Sequence, residues 1–169
     1  DRDPLSKYFY GAYYDEYSKQ YYVDYRIVVY VQEEVSTFTI TDDITSYLEF
    51  PDETIKPIVL EGWDDSETFW TNNIHTANLN KVSDVEVTTE PGANAHQKLI
   101  TVKAAEGTML QPGAYHLRVP VCITNAVNNA LYSHNAQGYN NKATLTTVDG
   151  IPTTETDTCY GQVQKYTPP

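Results

Sequence analysis

Three residues far apart in the chain, Lys7, Asp42 and Asn141, each fall on the apolar side of a β-type pattern. In Leu5-Ser6-Lys7-Tyr8-Phe9 the lysine shares a side with Leu5 and Phe9. In Phe38-Thr39-Ile40-Thr41-Asp42 the aspartate lines up with Phe38 and Ile40. In Asn141-Lys142-Ala143-Thr144-Leu145 the asparagine lines up with Ala143 and Leu145. Extended backbone has a period of two, so all three are expected to point into one core. Burying an amine, a carboxyl and an amide there is costly. The set makes chemical sense if the Lys7 amine condenses with the Asn141 amide to form an isopeptide crosslink. Burial lowers the pKa of a lysine and raises that of a carboxyl, so a neutral amine could attack while a protonated Asp42 hydrogen-bonds the carbonyl. Asp42 then carries a proton to the departing ammonia. The reaction happens once per molecule, which makes it maturation and not enzymatic turnover.

Strands must position these groups, and strand patterns dominate. The clearest runs from Tyr21 to Val31, with Val23, Tyr25, Ile27, Val29 and Val31 on one face. Further strands are expected at 5–10, 35–42, 56–60, 83–89, 98–104, 114–123, 141–148 and 157–165. Turn signals separate them, among them Pro51-Asp52, Pro91-Gly92, Glu106-Gly107 and Pro112-Gly113. Asp149-Gly150, between two Thr-rich runs, predicts a hairpin turn that brings 157–165 beside the Asn141 strand. Many short strands with regular turns argue for a β-sandwich. The stretch 62–80 is the least regular and reads as a loop or short helix; Asn-rich 125–140 reads as a long loop.

Length and composition set the frame. A chain of 169 residues with 40% hydrophobic content suits one folded domain. We read it as a single sandwich over 1–169, with a core at about 5–148 and a C-terminal extension over 149–169. The polar start at Asp1 and the Thr-Pro-Pro end suggest a piece of a longer protein. No apolar run reaches the length of about 18 residues that a membrane helix needs, and no signal peptide is visible. With 11 basic and 23 acidic residues the net charge is −12, which disfavours nucleic acid and anionic membrane as partners.

Cys122 and Cys159 are the only cysteines. They are a disulfide or two buried thiols; a disulfide is expected here, and with it an oxidising, extracellular setting. Asp64, Asp65 and Glu67 match no complete calcium loop, so a solvated acidic loop is the expectation. His75, His96, His116 and His134 show no zinc-ligand spacing. No metal and no cofactor is expected. Trp63, Phe69 and Trp70 have the composition of a sugar-stacking platform, although aromatic residues more often plug a core. Neither a phosphate-binding glycine loop nor a nucleophile elbow is present.

The order of Tyr25-Arg26-Ile27-Val28-Val29-Tyr30-Val31, Phe38-Thr39-Ile40-Thr41-Asp42, Leu110-Gln111-Pro112-Gly113-Ala114-Tyr115 and Asn141-Lys142-Ala143-Thr144-Leu145 is familiar. It resembles the isopeptide-forming immunoglobulin-like domains of Gram-positive pilins and collagen-adhesin-type surface proteins. The resemblance covers roughly residues 5–148. It implies an all-β, immunoglobulin-like sandwich with Greek-key connections. It also implies a lysine on the first strand bonded to an asparagine on a late strand, assisted by a buried acid: Lys7, Asn141 and Asp42. Asn140 and Asp43 stand beside two of these, and a shift of one residue in register would exchange them. The function implied is a structural or adhesive domain at the bacterial cell surface, in cell wall or pilus. Its partners would be neighbouring domains or subunits, or a host protein or glycan. The alternative is a carbohydrate- or ligand-binding module that uses Trp63 and Trp70.

Overall fold

A computed structural model describes residues 3–44, 48–64, 84–123 and 140–160. Among these described residues there are ten strands: β1 (Leu5–Asp15), β2 (Gln20–Val31), β3 (Thr37–Ile44), β4 (Leu48–Glu49), β5 (Val59–Asp64), β6 (Val85–Pro91), β7 (Gln97–Ala104), β8 (Gly113–Ile123), β9 (Asn140–Val148) and β10 (Ile151–Tyr160). They form two antiparallel sheets. The first runs β1-β2-β8, with β4 and β5 both paired along the far side of β8. The second runs β10-β9-β3-β7-β6. Neighbours such as β2 and β8, or β3 and β9, are distant in sequence, so the chain crosses repeatedly between sheets, as in a Greek-key, immunoglobulin-like sandwich.

The core lies between the sheets. Ile27, Val29, Leu117 and Val119 from the first sheet meet Phe38, Ile40, Ile100 and Leu145 from the second, each nearly or fully inaccessible. Alternation explains this in β3, where every second residue from Phe38 to Ile44 is buried. In β2 it explains only half. Tyr22, Asp24, Arg26 and Val28, on the opposite face, are buried as well.

Several expected boundaries shift. β1 continues past residue 10 to Asp15 because a register shift between Phe9 and Gly11 lets the pairing with β2 resume. This bulge changes which residues face inward. Phe9 precedes it, and Ala12 and Tyr14 follow it on the same core. The last strand begins at Ile151 directly after the turn, not at 157, and is described to Tyr160. The turn itself is as expected: Asp149 and Gly150 have φ of 51° and 74°. Left-handed φ at both central residues is the geometry that a two-residue hairpin requires, and glycine adopts it without strain. The Asp149 carboxylate also accepts hydrogen bonds from the Ser36 amide (2.6 Å) and hydroxyl (2.7 Å), tying the hairpin to the start of β3. The short strand β4 was not foreseen. The expected irregular stretch 62–80 is described only to residue 64, where it belongs to β5; the rest of it, and 125–139, lie outside the described residues.

Candidate functional site

The local register of three strands builds the site. Ile44 stands opposite Asn141 in the β3–β9 ladder, and Asp42 opposite Ala143. Asp42 and Asn141 are therefore diagonal neighbours on one face of the second sheet, within side-chain reach of each other. Lys7 approaches from the other sheet, on β1 opposite Ile27. Asp42 and Asn141 are wholly inaccessible, and Lys7 is 6% exposed.

The three polar ends meet. Lys7 Nζ donates to Asp42 Oδ1 at 2.5 Å and also to Asn141 Oδ1. The Tyr25 ring lies 5.1 Å from the same nitrogen. Burial pulls the Lys7 pKa down against the opposing pull of Asp42. Burial likewise pushes the Asp42 pKa up, against the Lys7 ammonium. Both shifts favour the uncharged forms, as desolvation dictates. Among the described residues, Asp42 Oδ2 and Asn141 Nδ2 are buried without a hydrogen-bond partner. An amine thus sits against an amide carbonyl, with a carboxyl beside both and no water-facing side.

Asp43 points to the opposite face of β3, where its Oδ1 accepts from Gln97 Nε2 at 2.8 Å. The backbone of Asn140 pairs with Tyr160, and its side chain is outside the described residues. Trp63 lies on β5 opposite Tyr115, but the side chains of Trp63 and Asp64, and the whole of Asp65, Glu67, Phe69, Trp70, His75 and His134, are outside as well. His96 Nδ1 is 3.0 Å from the Leu48 carbonyl oxygen. His116 is buried, and burial lowers its pKa to about 4. Among the described residues, no group of three His, Cys, Asp or Glu is arranged to hold a metal ion.

The expected disulfide is absent. Cys122 and Cys159 are both buried free thiols. Their strands explain it. Val121 and Ile123 face the inter-sheet core, which Cys159 also joins. Cys122 lies between them and points to the other side of the first sheet, its Sγ 3.9 Å from Gln20 Oε1. The hairpin does bring β10 beside the Asn141 strand, with Cys159 opposite Asn141. It places that sulfur on the wrong face for Cys122. Burial raises both thiol pKas, that of Cys122 to about 11.

Two features escaped the sequence. Asp157 accepts the Lys7 backbone N–H at 2.6 Å, an edge contact between sheets that no periodicity encodes. On the outer side of the first sheet, Arg26 donates from Nε and Nη2 to Glu61 Oε1 (3.1 and 2.8 Å). Arg118 does the same to Asp24 Oδ2 (2.9 and 2.5 Å). The signal was available in Asp24 and Arg26 on one strand face, but alternation reads such a face as solvated.

No family model matches the sequence, and no curated protein matches it either. Solved structures do. The collagen-binding subdomain of the Enterococcus faecalis surface protein ACE superposes with a TM-score of 0.54 at 12% identity, covering 96% of this chain and 99% of that one. The major pilin SpaD of Corynebacterium diphtheriae gives 0.44 at 10% identity, over 92% of this chain and 34% of that chain. The T6 backbone pilin of Streptococcus pyogenes gives 0.42 at 13%, again over 92% and 34%. This chain thus spans about a third of either pilin. It shares the immunoglobulin-like sandwich fold of the ACE subdomain over nearly its whole length.

Proposed function

We propose that this chain is a structural or adhesive domain of a bacterial cell-surface protein, matured by an intramolecular isopeptide bond between Lys7 and Asn141. The observation that carries the reading is the closed contact of amine, amide and carboxyl, with both ionisable groups shifted toward neutrality. The neutral Lys7 Nζ attacks Asn141 Cγ, and Asp42 donates a hydrogen bond to the carbonyl oxygen as charge gathers there. A C–N bond forms to Nζ, the Cγ–Nδ2 bond breaks, and Nδ2 leaves as ammonia with the proton that Nζ gives up, relayed by Asp42. No oxidant or cofactor enters the balance. Folding supplies the proximity, which in well-oriented intramolecular reactions reaches effective molarities of about 10⁵–10⁸ M. The fold shared with a subdomain of a surface protein supports an extracellular setting, with neighbouring domains or a host protein as partners.

Intact mass tests the bond. Reduced, folded protein should fall short of the sequence mass by one ammonia, and digestion should yield a branched peptide joining Lys7 to Asn141. A full sequence mass in folded protein overturns the reading.

A further inference from the structure

We propose that Asp157, on the last strand, is a positioning residue for Lys7, so that docking of β10 completes the reactive site. The proposal rests on the isopeptide reading and adds to it a residue outside the reacting trio. Among the described residues, β1 and β10 are edge strands of opposite sheets, and no backbone ladder joins them. What joins them is side chain to backbone. Asp157 Oδ2 accepts the Lys7 N–H at 2.6 Å across 150 residues of sequence. Its Oδ1 is held by the amide of Thr158, its own neighbour, at 2.9 Å. Two residues on, Cys159 stands in register with Asn141, and its sulfur lies next to the Phe9 backbone amide. β10 thus grips β1 at residue 7 while flanking the asparagine that residue 7 must reach.

The physical need is clear. Lys7 starts only two residues into an edge strand, and its side chain has four rotatable bonds to order before Nζ meets Asn141. A hydrogen bond that fixes the direction of the Lys7 N–H also fixes where Cβ points. Displacement of a reacting group by about 1 Å costs on the order of 10²-fold in rate. The charge of Asp157 has the opposite tendency, since a carboxylate nearby favours the lysine ammonium over the nucleophilic amine. Acceptor and charge can therefore be separated by substitution.

The test follows crosslinking in newly synthesised full-length chains by intact mass at timed intervals, each sample normalised to its protease-resistant, folded fraction. Asp157→Asn keeps an oxygen acceptor and removes the charge; it should lose ammonia at the wild-type rate or faster. Asp157→Ala removes the acceptor and should react at least tenfold more slowly per folded molecule. Asp157→Val, a good strand former without an acceptor, replaces the alanine variant should that chain not fold. A wild-type rate in the alanine or valine chain overturns the proposal. So does an asparagine chain as slow as the alanine one, because charge would then be what matters. Wild-type protein that never loses ammonia removes the isopeptide reading itself, a result visible before any variant is compared.

Discussion

The first sheet buries charge on both of its faces, and the two faces treat it differently. Outside, Arg26 meets Glu61 and Arg118 meets Asp24, each guanidinium giving two donors to one carboxylate oxygen. These are opposite charges in forked contact, and each guanidinium opposes the burial that pushes a carboxyl such as Asp24 upward. Inside, Lys7 also finds a carboxyl group, but it shares that contact with a neutral amide. An ion pair that is well forked is an end state. A lysine held between an acid and an amide, in a site that disfavours charge, has a chemical exit. Arginine's guanidinium cannot take that exit, because it does not deprotonate in proteins.

The sharpest way to break the contrast is Asp42→Ala. The variant should fold and keep its full mass, since the acid assists the bond without joining it. A crosslink between positions 134 residues apart in sequence constrains most of the unfolded chain. Its loss should cost about 5 kcal/mol in the chain-entropy picture. At roughly 2–4 °C per kcal/mol for a domain of this size, calorimetry should record a melting point lower by about 10–20 °C. Should the variant still lose ammonia, Asp42 is not the assisting acid.

Arg118→Ala is the outer counterpart and should be milder. It strands Asp24, which is 2% exposed, but Arg118 itself is partly open to solvent. A loss of about 2 kcal/mol by urea denaturation is expected, below the 3–5 kcal/mol of a fully buried pair. The ammonia loss should persist. Adding Asp24→Asn should recover part of the stability, because the stranded charge is then gone.

Acid separates the faces again. The His116 pKa is held at about 4 in the folded state, well below the ordinary 6.5. The unfolded chain therefore binds a proton that the folded chain refuses, and stability present above pH 6.5 is lost as pH falls toward 4. Urea midpoints measured across that window should drop, and His116→Asn should flatten the drop. The smallest effect concerns the thiols. With Cys122 and Cys159 free, reductant should leave the melting point unchanged, and thiol reagents should label both residues fully only after denaturation.

The buried cluster of Lys7, Asp42 and Asn141 was legible because each member lies on a strand that alternates apolar with more polar residues. Phe38 and Ile40 share a side with Asp42, whereas Asp43 was left open by the sequence and lies on the other face in the structure. Alternation also located β2 and the Asp149-Gly150 turn. It could not see that Tyr22, Asp24, Arg26 and Val28 are buried too, since periodicity reports which residues share a side and not whether that side is covered. The disulfide failed for a related reason. Parity places Cys122 opposite Val121 and Ile123, but which side Cys159 occupies depends on the register of β10 against β9, shifted between Pro152 and Glu155. The Asp157 contact joins two edges far apart in sequence, and only the closed sandwich brings them together.

The place of Asn141 near the start of β9 has a further consequence, in extensible length. If Lys7 is bonded to Asn141 as proposed, tension applied through the C-terminal end should unzip β10 from β9 and then strip β9 from β3, until it arrives at residue 141. About 19 residues, 142–160, are free to pay out, or roughly 65 Å at 3.3–3.6 Å each. All the chain between the bonded residues stays off the load path, so a single-molecule trace should show one short release and then a stiff tether.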